Sequence, residues 1–176
     1  KAVRSWARSN DVEWCEQANN GVIRNLNDRN GWSRKWFSTM SARIIPTPNR
    51  INSVQHKSDC FPDPLSLNLL TNQMPSLQTA TRSEATNTLN SFLYSRGQNY
   101  SHEMSSPITA EKSCSRISPY LTFGQISVRE VFQMTQKRAS QLSSVDTKYH
   151  KSLKSFSSRL RWHCHFMQKL EDQPSI

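Results

Sequence analysis

Glycine is scarce in this chain, at 4 of 176 residues, and carboxylates are outnumbered, with 13 Asp and Glu against 23 Lys and Arg. No GxGxxG, P-loop or GxSxG nucleophile elbow occurs, so the glycine-dependent nucleotide and hydrolase signatures are excluded. No apolar run approaches the roughly 20 residues of a membrane span. No secretory signal peptide is visible. Cys15, Cys60, Cys114 and Cys164 lie far apart and form no CxxC pair. That fits reduced thiols in an intracellular, cytoplasmic setting better than a disulfide framework. The hydrophobic share is 35%, short of the roughly 45–50% typical of soluble domains. Polar Ser, Asn, Thr and Gln fill the difference, so part of the chain is expected to be loosely packed.

The formal charge of +10 favours a polyanionic partner, with nucleic acid the default candidate. A basic, solvated surface without a specific partner is the open alternative. The cations are dispersed, with no run of five or more, so neither a localisation signal nor a basic tail is evident. The length suits one sizeable domain or two small ones.

Three stretches differ in character. Residues 1–45 read as the end of an α/β unit. Ala2, Val3, Trp6 and Ala7 share a helical stripe, Asn10-Asp11 breaks it, and Val12 to Glu16 alternates like a short strand. Asn20-Gly21 is a turn signal before Val22-Ile23, and Gly31 precedes a Trp32, Trp36, Met40 helical stripe. Residues 46–80 contain Pro46, Pro48, Pro62, Pro64 and Pro75, no glycine and no sustained period, as in a linker or a long surface crossing. Residues 81–176 read as helical. Thr81-x-x-Glu84 and Ser127-x-x-Glu130 are capping boxes. The first leads a face of Ala85, Leu89, Phe92 and Leu93 that stops near Arg96-Gly97; the second leads Val131, Phe132, Thr135, Ala139 and Leu142. A third helix over 146–172 carries Leu153, Phe156, Leu160, Cys164 and Met167 on one stripe.

Two features carry candidate chemistry. In the segment SCSRISPYLTFG, Ser118-Pro119 reads as a cap and first helical residue, and Gly124 as a stop, predicting a short helix over 119–123. Ser115, Arg116 and Ser118 gather two hydroxyls and a guanidinium at its positive end, which suits a pyrophosphate. An ordinary capped helix with an exposed arginine is the alternative. The second feature is Trp162. At ~100° per residue it lies about 160° from Leu160, beside Ser155, Ser158, His165 and Lys169. A tryptophan on a polar, basic face invites a flat stacking partner such as a nucleobase, or else a covering helix or loop. His163-Cys164-His165 are adjacent residues that cannot converge on one ion, and no metal site is expected.

Together these segments resemble the photolyase/cryptochrome family. SRISPYLTFGQISVRE resembles its flavin motif, Thr-Ser-x-Leu-Ser-Pro-x-Leu-x-x-Gly-x-Ile-Ser-x-Arg, placed here at Cys114 to Arg129. FSSRLRWHCHFMQKLEDQP is similar to the family's following helix, SEATNTLNSFLYSRGQNY to the helix leading to a flavin-contacting tyrosine, and WCEQANNGVI to the last strand of its antenna domain. The resemblance implies an internal fragment, mainly α in its C-terminal half as the start of the FAD-binding helical domain. The truncated end of an α/β antenna domain (1–45) and a long irregular linker (46–80) would precede it. A first residue of Lys1 and a last of Ile176 fit that expectation.

The resemblance further implies FAD as cofactor, with Tyr100, Cys114, Ser115, Arg116, Ile117, Ser118 and Arg159 in contact with it. DNA containing pyrimidine dimers would be the partner of the parent protein, met by Arg159, Trp162, His163 and Phe166. Glu16 would hold a folate or other antenna chromophore. The implied activity is blue-light-driven dimer repair by electron transfer in a monomer. The competing expectations are a cryptochrome-type light sensor and a non-enzymatic helical nucleic-acid-binding module. Relative to the family pattern, Cys114 stands for threonine, Arg159 for Glu or Gln, and His163-Cys164-His165 for Arg-Glu-Phe. The remaining flavin pocket and the electron-transfer tryptophans would lie beyond Ile176, so the fragment alone is expected to be inactive.

Overall fold

Capping chemistry and 3.6-residue periodicity agree most closely after residue 80, and there the helices form where the sequence places them. A computed structural model describes residues 2–17, 21–69 and 77–176. The long elements are α1 (Ala2–Ser9), α2 (Trp32–Ser41), α3 (Arg82–Tyr94), α7 (Val128–Gln141) and α8 (Thr147–Asp172). Three short helices, α4 (Tyr100–Glu103), α5 (Ala110–Ser113) and α6 (Ser118–Thr122), join α3 to α7. The fold is mainly helical, and no strand occurs among the described residues.

Both predicted N-terminal signals operate, but unequally. Ser127 and Glu130 complete a reciprocal box: the Glu130 amide donates to Ser127 Oγ at 3.1 Å, and Ser127 N–H donates to the Glu130 carboxylate at 2.9 Å. At α3 only half of the box forms. The Glu84 amide donates to Thr81 Oγ1 at 3.2 Å, while the Glu84 carboxylate turns to Asn87. Arg82, in the same first turn, forms a bidentate ion pair with Glu130 and so ties the two helix starts together.

The core lies between α2, α3, α7 and α8. The predicted faces Ala85, Leu89, Phe92 and Leu93 of α3 and Val131, Phe132 and Thr135 of α7 are buried, with Ala139 and Leu142 packed at the edge. Trp32, Trp36 and Met40 bury one side of α2, and the Trp36 ring meets Phe132 edge-on at 5.3 Å. Phe92 meets Phe156 at 4.6 Å and Tyr100 at 5.4 Å. Side chains of this size each contribute about 1.5–3 kcal/mol through burial. Gly97 is required by close approach, because a Cβ there would come within 2.6 Å of the Phe92 carbonyl oxygen. Tyr149 and Arg138 finish α3 by donating to its last free carbonyls, Tyr149 to Leu93 O at 2.5 Å and Arg138 to the same oxygen at 3.1 Å.

Three expectations are corrected. Residues 12–16 form no regular element; with no neighbouring strand among the described residues, their alternation has nothing to bury against. The expected stripe at 2–7 does fall on a helix, α1, in which Ala7 is buried and Trp6 is 59% exposed. Met167 sits on the solvent side of the α8 stripe, which continues instead through Tyr149, Ser152 and Gln168. Ser118 is the first residue of α6 rather than its cap. Ile117 takes the cap position because Arg116, at φ 57°, turns the chain one residue earlier. The helix stop at Gly124 holds. With φ 71° it completes a Schellman turn in which Gln125 N–H donates to Tyr120 O at 2.9 Å.

Residues 46–69 and 77–80 carry almost no buried side chains and only a 3-10 turn at Pro64–Leu67. Asn20 of the expected turn, and Pro75, lie outside the described residues.

The Arg82–Glu130 pair has a pH signature. The Arg82 guanidinium and the Ser127 cap hold the Glu130 carboxyl at about 2, below its ordinary 4.5. A carboxyl depressed in the folded state adds stability that is complete above pH 4.5 and lost as pH falls towards 2. Because Arg82 is largely exposed, Glu130→Gln is expected to cost only about 1 kcal/mol at pH 7. In urea unfolding from pH 7 to 2, the gap between wild type and variant should close below pH 4.5. A gap unchanged at pH 2.5 contradicts this account.

Candidate functional site

The short helices α4 to α6 are too small to hold themselves together, and the chain between them is fixed by polar stitching. The principal stitch is Arg96, just past the end of α3. Its Nη1 donates to Cys114 O at 2.6 Å and Lys112 O at 3.2 Å, and its Nη2 to Thr88 O at 3.2 Å and Ser115 O at 3.3 Å. Nε reaches Ser91 Oγ at 2.9 Å. A guanidinium offers five donors in a fixed fork, and here every one of its nitrogens is used. Burial lowers its pKa, helped by the nearby charge of Arg116, yet it remains a cation. A second stitch is Glu103, whose carboxylate accepts from Ser113 Oγ and from Asn99 Nδ2. The 112–115 segment is therefore a pre-shaped arc.

At the end of the arc Arg116 adopts its left-handed turn, gives its carbonyl to Gln78 Nε2 at 3.0 Å, and keeps its guanidinium on the surface. Its nearest acid, Glu111, is 3.9 Å away, too long for a strong pair. Ser118 is exposed, whereas Ser115 and Ile117 are buried. Tyr100 is 7% exposed, caged by Phe92 and Phe156, and burial pushes its phenol up. Cys114 is half-buried and its thiol is likewise pushed up by burial. The Tyr100 phenol lies within Coulombic reach of both the Cys114 thiol and the Arg159 guanidinium. None of the five principal cavities is lined by Tyr100 or by residues 114–118.

Arg159 also faces the other way. Its guanidinium stacks over the Trp162 ring at 4.6 Å. Trp162 is 44% exposed and meets Phe166 edge-on at 6.1 Å. Phe166 touches His165, and His165 touches Trp32 of α2 at 5.6 Å. Trp162, Phe166, Arg29 and Arg161 line a cavity of about 490 Å³. His163 is exposed, while Cys164 between the two histidines is buried in the core. Between Thr147 and Leu170 the helix carries six Lys and Arg, three His and no carboxylate.

Glu16 lies elsewhere. It accepts from Arg4 at 2.8 Å, Arg24 at 3.1 Å and Trp14 Nε1 at 3.3 Å, and the Trp14 bond together with Arg4 holds its carboxyl low. With Arg4, Arg24, Met167 and Leu170 it borders a cavity of about 740 Å³.

No family model, no curated protein and no solved structure matches this chain.

Sequence reasoning missed Arg96 and Gln168. Arg96-Gly97 reads locally as a helix stop, and nothing near it signals that the guanidinium serves carbonyls up to 19 residues away. Gln168 could have been found. It continues the Leu153, Phe156, Leu160, Cys164 stripe at the next i+4 position, and its amide pins the Ile23 backbone, accepting at 2.7 Å and donating at 2.9 Å.

Removing the Arg96 fork leaves several partly buried carbonyls without donors. Arg96→Ala is expected to cost about 3 kcal/mol in urea unfolding, from the roughly 1–3 kcal/mol of each unsatisfied group. Arg96→Lys should recover less than half, since a single ammonium cannot span the fork. Full recovery by lysine contradicts the assignment.

Proposed function

We propose that this chain is part of a FAD-containing, blue-light-dependent deoxyribodipyrimidine photolyase, whose substrate is pyrimidine dimers in DNA. One observation carries the reading: Arg159 stacks on Trp162 while its charge reaches the Tyr100 phenol. On one side its charge acts on the buried Tyr100 phenol, behind the arc that exposes Arg116 and Ser118; on the other it stacks over Trp162, an exposed aromatic on a stretch of helix without a carboxylate from Thr147 to Leu170. A phosphate-bearing cofactor on the arc and a base on the tryptophan would be neighbours.

The residues fit such a cofactor as one wall. Arg116, Ser118 and Arg159 would donate to its phosphates. The buried ring of Tyr100 and the buried Ser115 and Ile117 would shape the surface behind them. When bound, reduced flavin supplies one-electron chemistry under blue light. The work of this chain is to bind, orient and exclude water. Trp162 and Phe166 offer flat apolar area to an extruded dimer, with Arg159 and His163 beside the DNA backbone. No residue of the chain is assigned a bond-making role. Glu16, held ionised by Trp14 and Arg4, would accept from an antenna chromophore such as a folate at the separate 740 Å³ cavity. No helix among the described residues is long and apolar enough to cross a membrane.

A second reading, a cryptochrome-type sensor, is favoured by the same Arg159. Stacked on Trp162 at 4.6 Å, it covers one face of the ring that a lesion would use. The reduced full-length protein is expected to carry bound flavin and to remove dimers from an oligonucleotide under blue light. Trp162→Ala should keep the flavin and weaken binding of that oligonucleotide by about 10- to 100-fold, as expected for loss of one stacking platform. Flavin photoreduction without dimer loss selects the sensor, and a colourless protein overturns both.

A further inference from the structure

Beyond Trp162, the same side of α8 borders a second cavity that the flavin reading does not use. This cleft, of about 440 Å³, lies where α2, α7 and α8 meet. Phe37 and Phe132 form its apolar floor, and Lys151, Lys154 and Arg161 stand on its rim. Arg161 lines both this cleft and the Trp162 cavity. Its position is fixed, because Nη1 donates to Ser33 Oγ at 3.1 Å and the guanidinium lies 5.6 Å from the Phe37 ring. The two cavities therefore form one track along α8. From Lys151 to His165 it runs about 21 Å, at 1.5 Å per residue.

Three features of the track point to a polyanion with flat bases. Lys151, Lys154 and Arg161 have no carboxylate within salt-bridge distance among the described residues. Two donors are buried along it without hydrogen-bond partners, Ser157 Oγ beside the cleft and Trp32 Nε1 beside the neighbouring cavity. An orphaned buried donor is costly, and a phosphate oxygen would satisfy it. Exposed aromatic rings, Phe37 in one half and Trp162 and Phe166 in the other, alternate with these cations. Cations tracking a backbone and rings accepting bases are the two components of single-strand binding.

We propose that this track binds a segment of single-stranded DNA, with Lys151, Lys154 and Arg161 on its phosphates, extending the contact beyond the base at Trp162. The proposal rests on the nucleic-acid half of the functional reading and not on its flavin half.

The test is fluorescence anisotropy with a fluorescein-labelled oligo-dT of eight nucleotides, titrated into the full-length protein at several salt concentrations. Lys151→Glu/Lys154→Glu reverses two exposed charges outside the core. Arg50→Glu/Lys57→Glu makes the same charge change in the exposed 46–69 stretch and serves as control. The cleft variant is expected to lose at least tenfold in affinity. Its log–log salt slope should fall by about 1.4, at roughly 0.7 per phosphate for single strands. The control should stay within about threefold, and both should melt at the wild-type temperature. Equal losses in the two variants, or no binding by the wild type, overturn the proposal. Bound flavin measured in the same samples separates the readings. Flavin present with a silent cleft removes only the track; a colourless protein whose binding needs Lys151 and Lys154 removes only the photolyase assignment.

Discussion

Between α3 and α7 the chain makes 33 residues of short helices and turns, and apolar burial alone does not order them. What orders them is a cation without a carboxylate. Arg96 binds the end of α3 through Thr88 and Ser91, and the 112–115 arc through Lys112, Cys114 and Ser115. Carbonyl oxygens share its charge, so the guanidinium is desolvated without an opposing ion to neutralise it. Such a clamp is directional, since each carbonyl must point at its own N–H. The arc therefore has one shape, and Arg116 leaves it in one direction, with φ at 57°. The surface that presents Arg116 and Ser118 inherits its geometry from Arg96.

The second constraint is helix α8. Its inner stripe of Leu153, Phe156, Leu160 and Cys164 fixes its rotation against α3, α4 and α7. With rotation fixed, every outward residue has a defined bearing. Arg159 stacks over Trp162, and Lys151, Lys154 and Arg161 border the cleft shared with α2 and α7. Gln168 anchors the far end by holding the Ile23 backbone. The Ile23 loop in turn brings α2 against α8, so that Trp32 meets His165 and the cavities along α8 have a second wall.

Much of this was legible in the sequence, for identifiable reasons. Where a local signal suffices, as with the Ser127–Glu130 box, the Gly124 stop and the apolar faces of α3 and α7, sequence and structure agree. The outward placement of Trp162 was also legible, because helical geometry alone fixes it. The failures share one cause, namely partners remote in sequence. Alternation at 12–16 predicts a strand only if a neighbouring strand exists. Ser118 loses its cap role to a turn at Arg116 that depends on the Arg96 clamp and on Gln78. The role of Arg161 depends on Ser33, which lies 128 residues away. The burial of Tyr100 follows from Phe92 and Phe156, and the helix pattern gave no hint that the ring would be caged rather than presented.

The central claim is that the clamped arc, together with Arg159, forms the phosphate-facing wall of a flavin site. Hydrogen–deuterium exchange of the full-length protein, with flavin bound and after its removal, tests this most directly. The account predicts that bound flavin slows exchange of the 114–118 amides and of the α8 turn around Arg159, and leaves the 46–69 stretch unchanged. Equal exchange at 114–118 with and without flavin would contradict it.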